Sequence, residues 1–530
     1  MNNEVLERPE SNKGKRITII VIGVVICILA LSGGAYAYIN STPEAKVLNA
    51  IKATSNELES NKGIIEKTVG EDYAKTLKEK GLNENMKFSL NSTNIPKLSE
   101  FTNSGFSLDL SQDEKNKKLL FDLGGQYKGT NIGNVKFYTD NNKLMLSVPQ
   151  IYDAWFTCDA ENIEQQYNNS IFSKNKKLPD KEITLKLFGD DNDSVLEGKE
   201  LMDAVMKGYL TANSDKLAAI GKNIKVQGSK QTKNIEIGGA SEECQGYDVV
   251  ISGQDAKDFI SSITDYMLKD QELKKAITKQ AKYSYLQQDK KYDSPEAMVD
   301  DIYKQLEDSN EKFKNSFNID DVNAVVYIDK KGRAVSLDLD TALNIDSKKT
   351  EIKFSGDLKG TDNLGNLMDM SMNFAKDGKE FKVNFDSNTT TKDDLINEEM
   401  NLVLDDSIEA VNLAGKSSYN TKSGDFDVSL DAKSKDEGLN ASLAGNLKFD
   451  KSSKKLEADF NKIDLQSNLK DGNFSISLDG SYAIAPLDSP IEEPTGEKLE
   501  VFKLSQSKLM EVSQQIQNNA MKIYNTLKTK

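Results

Sequence analysis

Apolar and polar residues alternate along much of the second half of this chain. Six runs between residues 320 and 487 place an apolar side chain at every second position, with turn signals such as Lys376-Asp377-Gly378-Lys379 between them. This pattern predicts antiparallel strands with one apolar and one polar face, and therefore a β-meander over residues 320–487. The runs are Val335-Leu337-Leu339, Phe381-Val383-Phe385, Phe426-Val428-Leu430-Ala432, Leu439-Ala441-Leu443, Leu456-Ala458-Phe460 and Phe474-Ile476-Leu478.

Helical patterns flank the meander. Thr42-Pro43-Glu44 combines a hydroxyl cap, a proline at the first helical position and an acid in the first turn, which predicts a helical stalk or lid over residues 40–84. Residues 85–319 mix hairpin strands with amphipathic helices, and residues 498–528 repeat apolar side chains at helical spacing. The predicted fold is α+β: a long curved antiparallel sheet, resembling a half-barrel, with helices packed on its concave face.

An uncharged apolar segment lies near the N-terminus. Residues 17–39 are long enough to cross a bilayer as a helix, and Lys13, Lys15 and Arg16 precede them. The positive-inside rule then leaves residues 1–16 in the cytoplasm and the rest of the chain outside a single-pass cell-membrane anchor. The alternative is a cleavable signal peptide, because Ala35-Tyr36-Ala37 has the small-x-small form of a cleavage site. Under both interpretations, the part of the chain after residue 39 is exported.

Charge and composition exclude several classes of function. The net charge of −15 argues against a nucleic-acid partner, which requires clustered basic residues. Histidine is absent from the sequence, so catalytic triads and metal sites built on histidine are excluded. We find no catalytic motif, no cofactor-binding motif and no metal-binding motif, and we expect a protein that is not an enzyme.

Three cysteines occur in the chain. Cys27 lies within the apolar segment, and Val24-Val25-Ile26 before it does not form a lipobox. Cys158 and Cys244 fall in the part predicted to be exported, where a disulfide between them is possible. The alternative is a pair of buried thiols. The sequence leaves both readings open.

Two other features have a functional and a structural interpretation. Trp155, the single tryptophan, follows Pro149-Gln150-Ile151-Tyr152 at the end of a predicted hairpin. It is a candidate for the wall of a ligand cavity, or else an ordinary core aromatic. Asp190-Asp191-Asn192-Asp193 resembles the beginning of a calcium loop, but Val195 occupies the position that requires glycine, so a solvated loop is favoured.

The order of these features resembles an uncharacterised family of membrane-anchored exported proteins of low-GC Gram-positive bacteria. The residues that carry this resemblance are Pro149 to Trp155 and Cys244 to Ile251, together with the N-terminal anchor. The layout is also loosely similar to carriers of the LolA and LppX type. That similarity implies non-enzymatic binding of an apolar or amphipathic envelope ligand, such as a lipid. The alternative is a cell-surface scaffold whose core is filled and which binds another surface protein.

Overall fold

The computed structural model describes residues 42–60, 68–70, 72–174, 177–178, 188, 205, 207–285, 292, 294–345, 348–360, 364–406, 408–470 and 472–528. Its fold is α+β, and the predicted antiparallel, β-rich architecture is confirmed, with twenty-one strands among the described residues. The chain divides into two compact units. Unit 1 comprises Met1–Asn61, Ser194–Asn388 and Met400–Val411, and unit 2 comprises Lys62–Asp193, Thr389–Glu399 and Asn412–Lys530.

The α-helices that lie wholly within the described residues are α1 (Pro43–Ser60), α2 (Asp72–Lys80), α3 (Pro96–Ser99), α4 (Ile163–Asn168), α5 (Ser214–Asn223), α6 (Gly253–Lys269), α7 (Gln271–Tyr285), α8 (Pro295–Ser316) and α9 (Gln506–Lys528). Side-chain caps fix the beginnings of several of them. Thr42 Oγ1 accepts from the Ala45 amide at 3.2 Å, and Ser252 and Ser294 accept in the same way at α6 and α8.

The described strands are β1 (Leu82–Thr93), β2 (Ser104–Asp113), β3 (Lys118–Tyr127), β4 (Thr130–Thr139), β5 (Lys143–Val148), β6 (Tyr152–Asp159), β7 (Lys225–Ile237), β8 (Ala240–Ile251), β9 (Phe317–Ile319), β10 (Val322–Ile328), β11 (Ala334–Ile345), β12 (Lys348–Lys359), β13 (Leu367–Lys376), β14 (Lys379–Lys392), β15 (Leu395–Asp405), β16 (Ala410–Asn420), β17 (Asp425–Lys433), β18 (Gly438–Asp450), β19 (Lys455–Leu469), β20 (Gly472–Pro486) and β21 (Lys498–Glu500).

Unit 1 is a strongly curled antiparallel sheet in the order β7-β8-β10-β11-β12-β13-β14, with β9 paired to β11. On a flat sheet β7 and β12 would lie about 19 Å apart, four strand spacings of ~4.8 Å. Instead the Gly238 amide donates to the Gly360 carbonyl at 2.7 Å, and Lys233 of β7 reaches Asp357 of β12 at 2.7 Å. The face that carries Lys233 and Asp357 is therefore concave.

The helices of unit 1 lie on the outer face of this curled sheet. Val47 of α1 and Ala256 of α6 share a buried cluster with Val249, Ala324 and Leu339, which point away from Lys233. The expected packing of helices on a concave face is therefore wrong for unit 1. The physical reason is that the apolar side chains covered by α1 and α6 point outwards, whereas the enclosed face carries Lys233 and Asp357 together with a buried cluster of Ile235, Cys244 and Tyr327.

A buried ion-pair network ties α1 to this sheet. Arg333, in the turn between β10 and β11, donates from Nη1 to both carboxylate oxygens of Glu57 at 2.7 and 2.8 Å. Its Nε donates to Asp329 Oδ2 at 2.8 Å. The Asp329 side chain is 0% exposed and that of Arg333 is 7% exposed, so these charges are largely removed from water. The helix at residues 43–60 is thus an integral part of unit 1.

Unit 2 is a broad antiparallel sheet in the order β6-β5-β4-β3-β2-β1-β20-β19-β18-β17-β16, and β21 adds to β6 in parallel. One face carries most of the apolar residues, but on β4–β6 the opposite face also carries a buried apolar cluster of Tyr138, Met145 and Trp155. A bulge in β19 between Phe460 and Ile463 keeps the apolar residues of its two halves on one face.

The predicted membrane segment is not among the described residues. Of the helices that the structure describes, none has the length and hydrophobicity needed to span a bilayer. Residues 17–39 and Cys27 lie outside the described ranges.

Candidate functional site

Trp155 lies in a packed core. Its side chain is 9% exposed and contacts a cluster that contains Tyr138, Met145 and Ile491. Its amide donates to the Glu497 carbonyl at 2.8 Å, where β21 joins the sheet. This environment matches the core interpretation, and burial raises the pKa of the neighbouring Tyr138 to about 12.

Cys158 and Cys244 are both free thiols in the structure, and they belong to different units. Cys244 is 0% exposed, and burial raises its pKa to about 11, with a further contribution from Glu242. Cys158 is half-buried, and burial raises its pKa as well. Raised pKa values make both thiols poor nucleophiles at neutral pH. The disulfide stays a prediction that a mass measurement can decide.

The first candidate site is the apolar face of the unit 2 sheet. Many of its large side chains remain open to solvent, although they lie in the interior of a wide sheet. Their exposed fractions reach 36–48%, well above those of core residues. The exposed members on this face are Phe106, Leu123, Val135, Leu146, Val428, Leu430 and Leu439. A contiguous apolar surface of this kind is characteristic of a binding site.

A row of aromatic residues and glycines crosses this face, which we call the Phe-Gly row. Seven residues from seven neighbouring strands are paired in direct register: Phe426, Gly445, Phe460, Gly480, Phe88, Phe106 and Gly125. Neighbouring rings lie at centroid distances of 5.7–6.1 Å. Six strand spacings make the row about 29 Å long.

The glycines keep this row flat. A Cβ atom on Gly480 would lie 2.5 Å from Cδ1 of Phe88, so the Phe88 ring lies directly over the glycine backbone. A Cβ on Gly445 would come within 3.1 Å of the Phe426 ring. Aromatic rings covering neighbouring glycines are a known stabilising device in β-sheets. The glycines of the row therefore add no side chain of their own to the apolar strip, and the rings of Phe88 and Phe426 lie close to two of them.

Two helices cover the apolar face only at its margins. Val512 of α9 packs with Tyr152 and Ala154 on β6, at one edge of the sheet. Tyr73 of α2 lies edge-on to Phe449 at 5.4 Å, at one end of the central strands. The sequence predicts helices over this face, and among the described residues no helix covers the strip between α9 and α2.

A polar group lies on the same face next to α2. Glu84 of β1 accepts a hydrogen bond from the Tyr482 hydroxyl at 3.1 Å. Burial raises the pKa of Tyr482 to about 12, and the Glu84 carboxylate contributes to this shift. The apolar face thus has a carboxylate and a phenol near one end of its strands, whereas its middle is apolar.

The second candidate site is the concave polar face of unit 1. Lys233 Nζ lies 2.7 Å from Asp357, 3.3 Å from Asp338 and 3.0 Å from Ser336 Oγ. The pair Ser336 and Lys233 has the separation of a serine–lysine nucleophile system. However, Lys233 is bound by the carboxylates of Asp338 and Asp357, and Ser336 Oγ donates its proton to Asp357 Oδ1 at 2.7 Å and not to the lysine. This cluster is therefore better suited to holding the curl of the sheet than to catalysis.

No group of three or more Cys, Asp or Glu side chains in the described ranges is arranged to hold a metal ion. The Asp190-Asp191-Asn192-Asp193 segment lies outside those ranges.

The sequence predicts a ligand site on an apolar sheet face, but it indicates neither the Phe-Gly row nor the polar site of unit 1. The alternating pattern gave the apolar side of each strand, but the Phe-Gly row appears only when the register between strands is known. Comparison of the chain with protein-family models, curated proteins and solved structures finds no significant match. The resemblance described above therefore stays a prediction.

Proposed function

We propose that this protein is a membrane-anchored, extracytoplasmic binding protein that holds an apolar or amphipathic envelope ligand on the open face of unit 2. The observation that carries this proposal is the Phe-Gly row, with Phe106 48% exposed. The proposed anchor is residues 17–39, and the proposed activity is binding without catalysis.

The shape and charge of the strip favour a lipid chain over a protein partner. Helices and protein surfaces associate by fitting protruding side chains into holes, and a flat strip offers few holes. A flexible hydrocarbon chain needs only a continuous apolar path, and ~29 Å exceeds the length of a common acyl chain. A second copy of the chain, which also carries a net charge of −15, would be repelled at low ionic strength.

The polar margin of the strip favours an amphipathic ligand. Glu84 and the Tyr482 hydroxyl lie at the apolar face near α2, where they can hydrogen-bond a polar headgroup. Hydrocarbon would then occupy the middle of the face, beside Phe88 and Phe106. Each apolar side chain that the ligand covers contributes binding free energy of about 25 cal/mol per Å² of buried area, before the cost of association.

Native mass spectrometry of the full chain, with organic extraction of bound material, tests this proposal. We expect a lipid to co-purify with the wild type and to be lost from a Phe106→Asp/Leu430→Asp double variant. The matched control is Asp109→Ser/Asp427→Ser, on the same two strands but on the polar face, and it should retain the lipid. Equal lipid content in both variants, or none in the wild type, would overturn the carrier function.

The alternative is a scaffold that docks another surface protein on the same face. It predicts that the double aspartate variant loses a protein of defined mass from detergent-solubilised complexes and that extraction yields no lipid from the wild type. The same experiment therefore separates the two functions.

A further inference from the structure

A groove on the concave face of unit 1 has the chemistry of a separate polar binding site. Its volume is about 860 Å³, within the range of ligand sites. Ten polar side chains line it: Gln227, Gln231, Asp248, Asn323, Asp338, Asp340, Lys353, Ser355, Ser371 and Asn373. The groove is independent of the apolar face of unit 2.

The lining residues form two rows that cross the strands in direct register. The first row contains Gln227, Asp248, Val325, Asp338, Ser355 and Ser371. The second row contains Val250, Asn323, Asp340, Lys353 and Asn373. Each strand thus presents one side chain per row, at intervals of about 4.8 Å, and most of these side chains are hydrogen-bonding groups.

Several of these groups have unused hydrogen-bonding capacity. Asp340 and Lys353 lie directly opposite each other and are exposed. Among the described residues, neither side chain makes a hydrogen bond or a salt bridge shorter than 4 Å, although both residues belong to the β11–β12 ladder. Asn323 is also exposed, and its amide donates only a long bond of 3.3 Å to the Asp321 carbonyl. Three neighbouring strands therefore present a carboxylate, an ammonium and a carboxamide to the groove.

We propose that this groove binds a linear oligosaccharide that is neutral or carries amino groups. A carboxylate or carboxamide side chain can form two hydrogen bonds to one sugar at the same time, with two neighbouring hydroxyls or with an acetamido group. The distance between neighbouring strands is close to the length of one pyranose unit. An oligosaccharide that runs across the strands would therefore place one sugar against each strand. Val250 and Val325 form an apolar patch suited to the C–H face of a sugar ring.

Repeat length and charge distinguish this ligand class from its rivals. An extended peptide repeats its side chains on one face every ~6.7 Å, which does not match the interval between strands. The lining holds three carboxylates (Asp248, Asp338, Asp340) and one ammonium (Lys353), which disfavours a polyanionic glycan.

Isothermal titration of the full chain in detergent with three hexasaccharides tests the proposal: chitohexaose, its deacetylated glucosamine form, and hexagalacturonate. We expect binding of one or both of the first two and weaker binding of hexagalacturonate. Asp340→Ala and Asn323→Ala should each weaken that binding about tenfold, since one hydrogen bond to a charged or polar group is worth about 1.4 kcal/mol. Asp109→Ala, an exposed aspartate on a strand of unit 2, is the control and should bind like the wild type.

Hydrogen exchange of the β10–β12 peptides should match the wild type in both groove variants, which excludes loss through unfolding. The inference is overturned if no hexasaccharide binds at millimolar concentration or if hexagalacturonate binds most tightly. It is also overturned if both groove variants bind like the wild type, or if a hydrophilic hexapeptide competes as effectively as the sugars. Because these ligands carry no hydrocarbon chain, either result leaves the lipid proposal untouched.

Discussion

Replacing Arg333 with methionine should release helix α1 from the sheet of unit 1. Methionine keeps much of the volume and removes the charge, so it leaves the carboxylates of Asp329 and Glu57 without their cation. Asp329 is 0% exposed but still accepts from the amides of Lys331 and Arg333 at 3.0 and 2.8 Å. Glu57 is 31% exposed and would keep a 3.3 Å bond from the Leu364 amide.

The expected loss follows from this geometry. Removing one partner of a buried ion pair costs about 3–5 kcal/mol. Because both carboxylates keep backbone donors and Glu57 can rehydrate, we expect the lower end, about 3 kcal/mol. Glu57→Gln leaves Arg333 paired with Asp329 and should cost less, about 1–2 kcal/mol, as one charge-assisted hydrogen bond weakens.

The stability of α1 can be measured by hydrogen exchange with mass spectrometry, which reports on each peptide separately. A global unfolding midpoint would instead combine the stabilities of the two units. A loss of 3 kcal/mol corresponds to about 100-fold faster exchange of the amides in residues 43–60. Peptides of unit 2 should not change. Lys349→Met, which removes an exposed ion pair of 3.4 Å to Asp320, is the control and should cost less than about 1 kcal/mol.

The same network predicts a dependence on pH. The hydrogen bond from Arg333 holds the pKa of Glu57 below its usual value of 4.5. A carboxyl group whose pKa is depressed by folding adds stability above its unfolded pKa and loses it as pH falls through the folded pKa. The amides of α1 should therefore be better protected from hydrogen exchange in the wild type than in Glu57→Gln at pH 6. This difference in protection should become smaller below about pH 4.5.

Unchanged protection of residues 43–60 in Arg333→Met, within the variation of the Lys349→Met control, would refute this reasoning. It would mean that α1 is held by its apolar contacts, such as Val47 with Val249, and that the ion pair contributes nothing measurable.

Three further outcomes are expected. Gly480→Ala puts a Cβ in steric overlap with the Lys87 carbonyl oxygen and 2.5 Å from a ring carbon of Phe88, so it should destabilise unit 2 by about 1–3 kcal/mol by hydrogen exchange. Gly438→Ala, in the same unit with its nearest atom at 3.7 Å, should not. Brief alkylation of the native chain should label Cys158 and spare Cys244, and denaturation should allow three adducts in the intact mass, at Cys27, Cys158 and Cys244; a disulfide-linked mass would contradict this. Two arginines placed in the middle of residues 17–39 should move the protein from the carbonate-resistant membrane pellet to the supernatant, and an unchanged pellet would argue against the anchor.

Local patterns in the sequence were sufficient for the elements of this fold. The run Phe426-Val428-Leu430-Ala432 coincides with β17, and the caps at Thr42 and Ser294 coincide with the beginnings of helices. Such signals depend on a residue and its near neighbours, so they can be read without knowing the tertiary fold.

The sites depend on relations between distant segments, which no local pattern contains. Phe460, Gly480 and Phe88 become neighbours only through the register of β19, β20 and β1. The polar residues of unit 1, such as Asp338 and Lys353, follow the same alternation as ordinary solvent-facing positions. Their enclosure depends on the curl that brings Lys233 to Asp357, and that curl depends on how the strands pair.

The central claim is that the open face of unit 2 holds a hydrocarbon chain. The most direct measurement is photo-cross-linking in intact bacterial cells, with a photoreactive phenylalanine placed at Phe106 and at Leu430 of the full chain. Controls carry it at Asp109 and Asp427, on the same strands but facing the opposite side. We predict adducts with the mass of a lipid at the first two positions and none at the controls. Protein-sized adducts, or adducts that form equally at all four positions, would contradict the claim.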